Sequence, residues 1–264
     1  MYLDKNWRVL TIGDGDLSFS LSLFKDQGIE HLSASVLDEK DTLNCKYAIN
    51  AITSLQRYSI PLFFGLDVTN PDSFSTKLRQ QFDLIIFQFP LIPQYRNLQA
   101  YEHNRHLGNN VLNRQLLCQF LDQSFNYFCD PSGAGLAYIT SKNVKPYSHW
   151  NIENLYDKQN AHYLGEMPFN IEDFPRYQLR NVDRDKVVKS TQSTTYVWGT
   201  NPPAELQSQL KQSIKHLPDH CNLCGKGPFD SESQRAAHQQ SAMHLKLSNY
   251  EMAWQEAKAK GLVN

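Results

Sequence analysis

The sequence predicts an α/β fold in which helices cover both faces of a mostly parallel β-sheet. Over the first 200 residues, short β-type runs alternate with stretches of helical character, which is the pattern of a parallel sheet. The fourth β-type run, 82–89, has a nearly continuous apolar centre, as expected for a strand covered on both faces. The hydrophobic content of 41% and the charged content of 20% are those of an ordinary globular protein.

Seven strands are predicted, and helices separate the first five of them. The strands lie at 7–13, 32–38, 62–68, 82–89, 136–141, 161–169 and 193–199. The helices lie at 17–27, 42–56, from Asn70 onward, and at roughly 109–129. Asn70 can cap its helix while Pro71 occupies the first turn. We expect the last two strands to form a hairpin-like pair at one edge of the sheet.

The chain divides into a large and a small unit. Residues 1–200 carry the alternating pattern and form one predicted domain. Residues 201–219 are polar and marked by prolines, which is typical of a linker. The remaining unit, 220–264, is too small to build a sizeable apolar core. It therefore needs an additional stabilising element, such as a bound metal ion.

Charge and hydrophobicity restrict the classes of partner. The net charge of −1 gives no overall basic field, so any contact with nucleic acid must come from a local patch. No apolar run is long enough for a membrane span, and the N-terminus lacks the apolar core of a signal peptide. We expect a soluble intracellular protein without membrane contact, cytoplasmic if bacterial and nuclear or nucleolar if eukaryotic. The separate cysteines Cys45, Cys118 and Cys129 fit buried thiols in a reducing compartment.

The turn after the first strand, "GDGD" at 13–16, combines glycines with carboxylates. Gly13 and Gly15 permit a tight turn and the close approach of a ligand. A dinucleotide fingerprint would have a third glycine where Ser18 stands, and its pyrophosphate would be repelled by Asp14 and Asp16. A cationic ligand would be attracted instead. The alternative interpretation is that both aspartates only cap the following helix.

S-adenosylmethionine fits such an acidic turn, because it carries an ammonium and a sulfonium group and no phosphate. Parallel strands place their ligands beyond their carboxyl ends, where Asp38 and Asp67 also lie. Asp38 is positioned to accept hydrogen bonds from ribose hydroxyls, and Asp67 can accept one from the adenine amino group. The sequence therefore predicts an S-adenosylmethionine site.

The stretch "GDGDLSFSLSL" resembles the opening motif of the Rossmann-like family that includes the large-subunit ribosomal-RNA uridine-N3 methyltransferases. Further matching stretches follow in the family's order: "SVLDEK", "GLDVT", "FDLIIFQFP", "PY…W" (Pro146, Tyr147, Trp150) and "PF…FPxYxxR" (Pro168, Phe169, Phe174, Pro175, Tyr177, Arg180). The resemblance covers about 7–200. It implies a class I methyltransferase fold, S-adenosylmethionine as donor and an RNA uridine as acceptor. The implied cofactor-binding residues are Gly13, Asp14, Gly15, Asp16, Ser18, Phe19, Asp38, Asp67 and Phe87.

The chain departs from this family at the end of the fourth strand. Where the family has Asn-Phe-Pro-His, this chain has Gln88-Phe89-Pro90-Leu91. Gln88 keeps the amide chemistry on a longer stem, whereas Leu91 provides neither an acid nor a base. The predicted catalytic residues that align the acceptor are Gln88, Phe89 and Pro90. The position of the acceptor atom must be correct to about 1 Å for efficient transfer.

Transfer to a uridine N3 also requires a base and groups that hold the RNA. Asp16 is the predicted base, and His103, His106 and His149 are less favoured alternatives. Tyr147 and Trp150 are predicted to stack on a flipped base, and Arg176 and Arg180 to contact phosphates. The alternatives are packing of the two aromatic rings on the sheet and solvated arginines.

The C-terminal unit contains the spacing C-x2-C-x13-H-x5-H. Its predicted zinc ligands are Cys221, Cys224, His238 and His244, with both imidazoles on one helix face. Four protein ligands leave no open position for a substrate, so the metal is structural. The spacing resembles matrin-like fingers that bind double-stranded RNA, and the alternative is a finger that contacts the large domain or another protein.

Two other functions remain open from the sequence. Gln88 and Leu91 also fit a non-catalytic RNA- or protein-binding module that keeps the fold. The nearly neutral charge leaves methylation of a small molecule open as well.

Overall fold

A computed structural model describes most of the chain. The described residues are 1–92, 107–156, 158–159, 161–182, 184–200 and 202–263. The alternative bases His103 and His106 lie outside these ranges.

The described residues form a seven-stranded sheet in the order β3-β2-β1-β4-β5-β7-β6. The strands are β1 Val9–Ile12, β2 Leu32–Ser35, β3 Leu62–Phe63, β4 Leu84–Gln88, β5 Leu136–Lys142, β6 His162–Phe169 and β7 Ser193–Gly199. Strands β1 to β5 are parallel, while β7 runs antiparallel to both β5 and β6. The predicted mostly parallel sheet and its antiparallel pair at one edge are confirmed. The strand order reverses between β1 and β4, which is where an open α/β sheet forms its ligand crevice.

Seven α-helices lie among the described residues. They are α1 Ser18–Asp26, α2 Lys40–Lys46, α3 Ile52–Arg57, α4 Asn109–Gln123, α5 Ala204–Gln207, α6 Glu232–Gln239 and α7 Ala242–Ala259. The helix predicted at 42–56 is interrupted, because Tyr47 adopts an extended backbone and Ala51 donates its N–H to the Asp16 carbonyl. The helix predicted at 109–129 ends at Gln123 and is followed by a π-helical turn, Ser124–Phe128.

The segment after Asn70 forms two short 3₁₀ turns instead of the predicted helix. Asn70 caps the first turn, as predicted, by accepting a hydrogen bond from the Asp72 N–H. Phe74 then takes an extended backbone and packs its ring 4.9 Å from that of Phe128. The packing of this ring against Phe128 explains why the segment does not continue as one helix.

Helices cover both faces of the sheet, as the sequence predicts. Val9 of β1 packs with α1, α2 and α3 on one face. Leu10 and Ile12 point to the opposite face, where they join the apolar side chains of α4 and α7. This alternation along β1 is the period of two expected for a strand between two layers.

The last helix joins the small unit to the large one. Trp254 of α7 is 1% exposed and lies in the core beside α4. Arg114 of α4, also buried, donates to Glu251 of α7 at 2.9 Å, and its guanidinium lies 4.8 Å from the Trp254 ring centroid. Although α7 has 18 residues, no helix among the described residues combines the length and apolar character needed to cross a bilayer.

The segment between the two units packs on the large one. Leu206 is buried, and Lys211 forms a β-bridge with Glu166 of β6. Ser213 donates a hydrogen bond to the Glu153 carboxylate. The domain boundaries at 200 and 220 remain predictions.

The single cysteines differ in exposure. Cys118 and Cys129 are buried as expected, and burial raises the pKa of both thiols to about 12. Cys45 is exposed on α2, so the prediction of burial is wrong at this position.

Candidate functional site

A cavity of about 640 Å³ opens at the carboxyl ends of β1, β2 and β4, where the strand order reverses. Eleven of the site residues predicted from the sequence line it: Gly13, Asp14, Gly15, Asp16, Asp38, Asp67, Phe87, Gln88, Phe89, Pro90 and Arg180. Such a volume is typical of a pocket for a small molecule or cofactor.

Gly13 forms the floor of this cavity and cannot be replaced without strain. Its φ is +63°, a left-handed conformation that L side chains rarely adopt. A Cβ at this position would lie 2.9 Å from Cε2 of Phe87. Both the backbone and the packing therefore require glycine here.

The two aspartates of the turn cap helix α1. Asp14 accepts hydrogen bonds from the N–H of Ser20 at 2.7 Å and from its hydroxyl at 2.5 Å. Asp16 accepts one from the Ser18 N–H at 3.0 Å. The capping role considered in the sequence analysis is thus real, but both residues also line the cavity and place two buried carboxylates beside it.

Burial dominates the titration of Asp14. It raises the pKa of this carboxyl to about 7, against the opposing hydrogen bonds from Ser20, and the charge of Asp16 adds to the rise. The folded state retains the Asp14 proton up to about pH 7, whereas the unfolded state loses it near pH 4. Protonation of Asp14 therefore stabilises the folded state fully below about pH 4. This stabilisation is lost as the pH rises between these two values.

We expect this effect in a comparison with Asp14→Asn. Between pH 4 and pH 8, the wild type should lose roughly 4 kcal/mol more unfolding free energy than the variant, at about 1.4 kcal/mol for each unit of pKa shift. Urea denaturation at both pH values measures the difference. The exposed Asp72→Asn variant serves as control and should follow the wild type; parallel curves for all three proteins would contradict the prediction.

Arg180 lies in the wall of the cavity. Its Nε donates to Asp16 at 2.7 Å and its Nη1 to Asp185 at 2.8 Å. The Arg180 side chain is 10% exposed. The prediction that Arg180 contacts RNA phosphates is therefore wrong in this structure, because the guanidinium is enclosed and paired.

Ser18 and Phe19 do not line the cavity, but they contact a segment that does. Ser18 accepts a hydrogen bond from the Gln178 N–H at 3.0 Å. Phe19 is buried, and its ring packs 5.1 Å from that of Tyr177. Both residues thus hold the segment 177–182 against α1, and that segment supplies one side of the cavity.

Asp38 and Asp67 lie beside the cavity as predicted, and both have protein partners. Asp38 forms an ion pair with Lys46, with 2.8 Å between Oδ2 and Nζ. Asp67 accepts from the N–H of Thr69 at 2.9 Å and from its hydroxyl at 2.7 Å. Their predicted hydrogen bonds to a ribose and an adenine would therefore add to existing contacts.

The end of β4 carries an unpartnered amide. Gln88 is 8% exposed, and neither its Oε1 nor its Nε2 has a hydrogen-bond partner among the described residues. Buried polar atoms are rarely left in this state, so the amide is suited to bind a ligand in the cavity. Phe89 follows with a φ of +49°, a strained conformation of the kind found at functional sites.

Several lining residues were not predicted from the sequence. Lys46, Tyr47 and Tyr177 all line the cavity. Tyr47 also donates to the Asn181 carbonyl at 3.1 Å, and the ring of Tyr177 stacks 6.4 Å from Phe89. The family motif "FPxYxxR" contains Tyr177, whereas nothing in the predicted helix 42–56 marked Tyr47.

Tyr147, Trp150 and Arg176 do not line this cavity. Trp150 is 1% exposed and packs in the core, with the Tyr147 ring at 5.0 Å. The predicted stacking of Trp150 on a base is corrected to aromatic packing. Arg176 forms an ion pair with Asp26. His149, the third alternative base, is also buried outside the cavity.

The four predicted zinc ligands come together in the small unit. Donor atoms of Cys221, Cys224, His238 and His244 all lie within 4.8 Å of one another. The histidines lie on two helices, not on one helix face as predicted, because His238 is in the last turn of α6 and His244 in the first turn of α7. The five-residue gap contains Ser241, which caps α7 by accepting a hydrogen bond from the His244 N–H.

Comparisons with known proteins identify related sequences. Residues 10–181 match the model of a family described as BMT5-like, rRNA (uridine-N3-)-methyltransferase BTM5-like. The chain is 27% identical over 187 residues to the Heavy metal-associated isoprenylated plant protein 41 of Arabidopsis thaliana, covering 69% of this chain and 34% of that protein. It thus spans about a third of that relative's length. A second, uncharacterized A. thaliana protein is 27% identical over 175 residues, covering 64% of this chain and 79% of its own length.

Solved structures of methyltransferases also align with the chain. One is a 30S ribosomal A1408 methyltransferase from an uncultured bacterium, with a TM-score of 0.41 and 11% identity over 76% of this chain and 96% of that one. Another is TrmN from Thermus thermophilus, with a TM-score of 0.38 and 14% identity over 74% of this chain and 44% of that one.

Proposed function

Because the chain belongs to the BMT5-like family of rRNA (uridine-N3-)-methyltransferases, we propose that it transfers a methyl group from S-adenosylmethionine to N3 of a uridine in ribosomal RNA. Its sheet and helices have the class I, Rossmann-like methyltransferase architecture. The observation that carries the proposal is the unpartnered amide of Gln88 in a cavity lined by acidic residues.

The cavity residues fit this cofactor. Gly13 lines the cavity without a side chain, so a ligand can approach its backbone closely. The Asp16 carboxylate, joined by that of Asp14 above about pH 7, favours a ligand with positive charge, whereas a pyrophosphate placed beside them would be repelled. When bound, S-adenosylmethionine supplies an electrophilic methyl group on a sulfonium.

Each end of the cofactor has a proposed partner in the cavity. Asp16 is the proposed partner of the cofactor's ammonium group, and Arg180, which is already paired with Asp16 and Asp185, holds this carboxylate in place. Asp38 is proposed to accept from the ribose hydroxyls and Asp67 from the adenine amino group.

Gln88 is the proposed residue that orients the acceptor base. A uracil presents a carbonyl on each side of N3, and the amide of Gln88 can donate to one of them. Phe89 and Pro90 fix the direction of this amide, because the strained Phe89 backbone is tied to β5 by its N–H, which donates to the Thr140 carbonyl at 2.9 Å. The predicted role of Asp16 as acceptor of the N3 proton is not retained, because this carboxylate is already paired with Arg180 at 2.7 Å and is assigned to the cofactor's ammonium group.

Mass spectrometry of nucleosides tests this function. The purified chain, incubated with S-adenosylmethionine and ribosomal RNA, should form 3-methyluridine. Gln88→Ala should lower the rate about 100-fold, since misplacement of an acceptor by 1 Å can have an effect of this size. The exposed Gln81→Ala variant is the matched control and should keep the wild-type rate.

The products distinguish the other candidate functions. Absence of any methylated nucleoside, with cofactor binding retained, would contradict the proposal and favour a non-catalytic binding module. Transfer to small molecules that RNA does not compete with would favour a small-molecule methyltransferase.

For the small unit we propose a structural zinc ion. Sγ of Cys221 and Cys224 lie 3.4 and 3.5 Å from Nδ1 of His244. Nε2 of His238 is buried and has no hydrogen-bond partner among the described residues. Two sulfur and two nitrogen donors at such separations suit tetrahedral zinc, and the complete ligand set excludes a catalytic role for the metal.

A further inference from the structure

Three lysines from separate segments act on the charge state of His149. Lys145 precedes the 3₁₀ helix Tyr147–His149, Lys215 belongs to the segment between the two units, and Lys246 lies on α7. Burial lowers the pKa of the His149 ring, and the charges of Lys246, Lys145 and Lys215 lower it further. We refer to these three lysines as the junction patch, because they lie where the small unit meets the large one.

Contacts link two of the three lysines to the residues around His149. The rings of His149 and Tyr250 are 5.9 Å apart, and Nζ of Lys246 lies 5.8 Å from the Tyr250 centroid. Lys215 contacts Asn151, two residues beyond His149, at 3.2 Å. Helix α7 therefore brings its lysine to the loop that follows β5.

Two lysines of the patch are available to an anion. Lys215 already pairs with Glu153 at 3.1 Å. Lys145 and Lys246 are exposed, and neither forms an ion pair with a carboxylate of the described residues. In a chain of net charge −1, such a local surplus of positive charge is the feature that contact with nucleic acid requires.

Lys145 of the patch follows the same edge of the sheet at which the cavity opens. Gln88 pairs with Thr140 in the β4–β5 register, and Lys145 follows Thr140 by five residues. An extended chain of this length reaches at most about 17 Å, so Lys145 lies within a few nucleotides of the cavity.

From this placement we propose that the junction patch binds the phosphate backbone of the RNA substrate next to the target base, with Lys145 from the large unit and Lys246 from the small unit as the contacting residues. The inference rests on the proposed RNA methyltransferase function. It assigns to the small unit a specific task, which is to complete an RNA-binding surface that the large unit provides only in part.

The salt dependence of RNA binding tests the patch. We compare the full chain with Lys145→Gln/Lys246→Gln, using a fluorescent uridine-containing hairpin from ribosomal RNA at several salt concentrations. Each lost phosphate contact should make the slope of log affinity against log salt less steep by about 0.7 to 0.9. The double variant should therefore differ by roughly 1.4 to 1.8 and bind several-fold more weakly at low salt.

The matched control is Lys5→Gln/Lys25→Gln. Both of these lysines are exposed, and they lie at the amino-end edge of the sheet, away from the cavity. This control should keep the wild-type slope, and all three proteins should bind S-adenosylmethionine equally.

The outcomes separate the patch from the activity. The patch variant could transfer methyl groups to RNA and show the same salt slope as the control. This result would overturn the proposed role of the patch and leave the proposed activity standing. RNA binding that depends on the patch, without methyl transfer, would support the patch and reject the proposed activity. A wild type without salt-dependent RNA binding would overturn the inference, and it would then leave an acidic protein as the partner to examine.

Discussion

Gly13→Ala is expected to weaken S-adenosylmethionine binding by about 100-fold or more. The new Cβ would lie 2.9 Å from the Phe87 ring, so the turn or the ring, both of which line the cavity, must shift. The left-handed backbone adds a cost of about 1–2 kcal/mol for any L side chain. Isothermal titration calorimetry measures the affinity, and thermal unfolding measures the stability.

Gly135→Ala separates the two effects. Gly135 has a similar φ of +58°, but a Cβ there meets nothing within 4 Å, and β5 begins at the next residue, on the edge away from the cavity. It should show the loss of stability with unchanged cofactor affinity. Equal affinity in the two variants would contradict the assignment of the Gly13 turn to the cofactor.

Cys221→Ser is expected to abolish stoichiometric zinc binding and to unfold the metal cluster. Zinc supplies about 10–16 kcal/mol of apparent binding free energy to finger peptides, which have little apolar core of their own. Hydrogen exchange in α6 should then rise to the rate of an unfolded peptide. The part of α7 from Leu247 to Trp254 should stay protected, because it packs on the large unit.

Cys45→Ser is the control for this change. Cys45 is exposed on α2 and lies outside the cluster, so its replacement should leave one zinc per chain. Mass spectrometry measures the zinc content of both variants. Retention of zinc by Cys221→Ser, or a protected α6 without metal, would contradict a structural zinc site.

Periodicity and turn chemistry predicted most of the fold because these signals are local. The buried strands β1, β4 and β5 have apolar runs that only a covered sheet accommodates. The interrupted helix at Tyr47 and the 3₁₀ turns after Asn70 depend on distant partners instead. Tyr47 contacts Asn181, and Phe74 contacts Phe128, so no local pattern could reveal either break.

The candidate site was predictable where residues follow strand ends. Gly13, Asp38 and Gln88 line the cavity because parallel strands bring their carboxyl ends together. Arg180 and Trp150 show the limit of this reasoning. Whether a charged or aromatic side chain faces solvent or the core depends on tertiary packing, and here Arg180 pairs with Asp16 while Trp150 is enclosed.

A calorimetric titration of the full chain with S-adenosylmethionine, NAD⁺ and ATP, each alone and in competition, tests the central claim most directly. The acidic glycine turn should bind S-adenosylmethionine with a stoichiometry of one and show no heat of binding for either pyrophosphate compound. Binding of NAD⁺ or ATP that S-adenosylmethionine cannot displace, and that Gly13→Ala removes, would contradict the account.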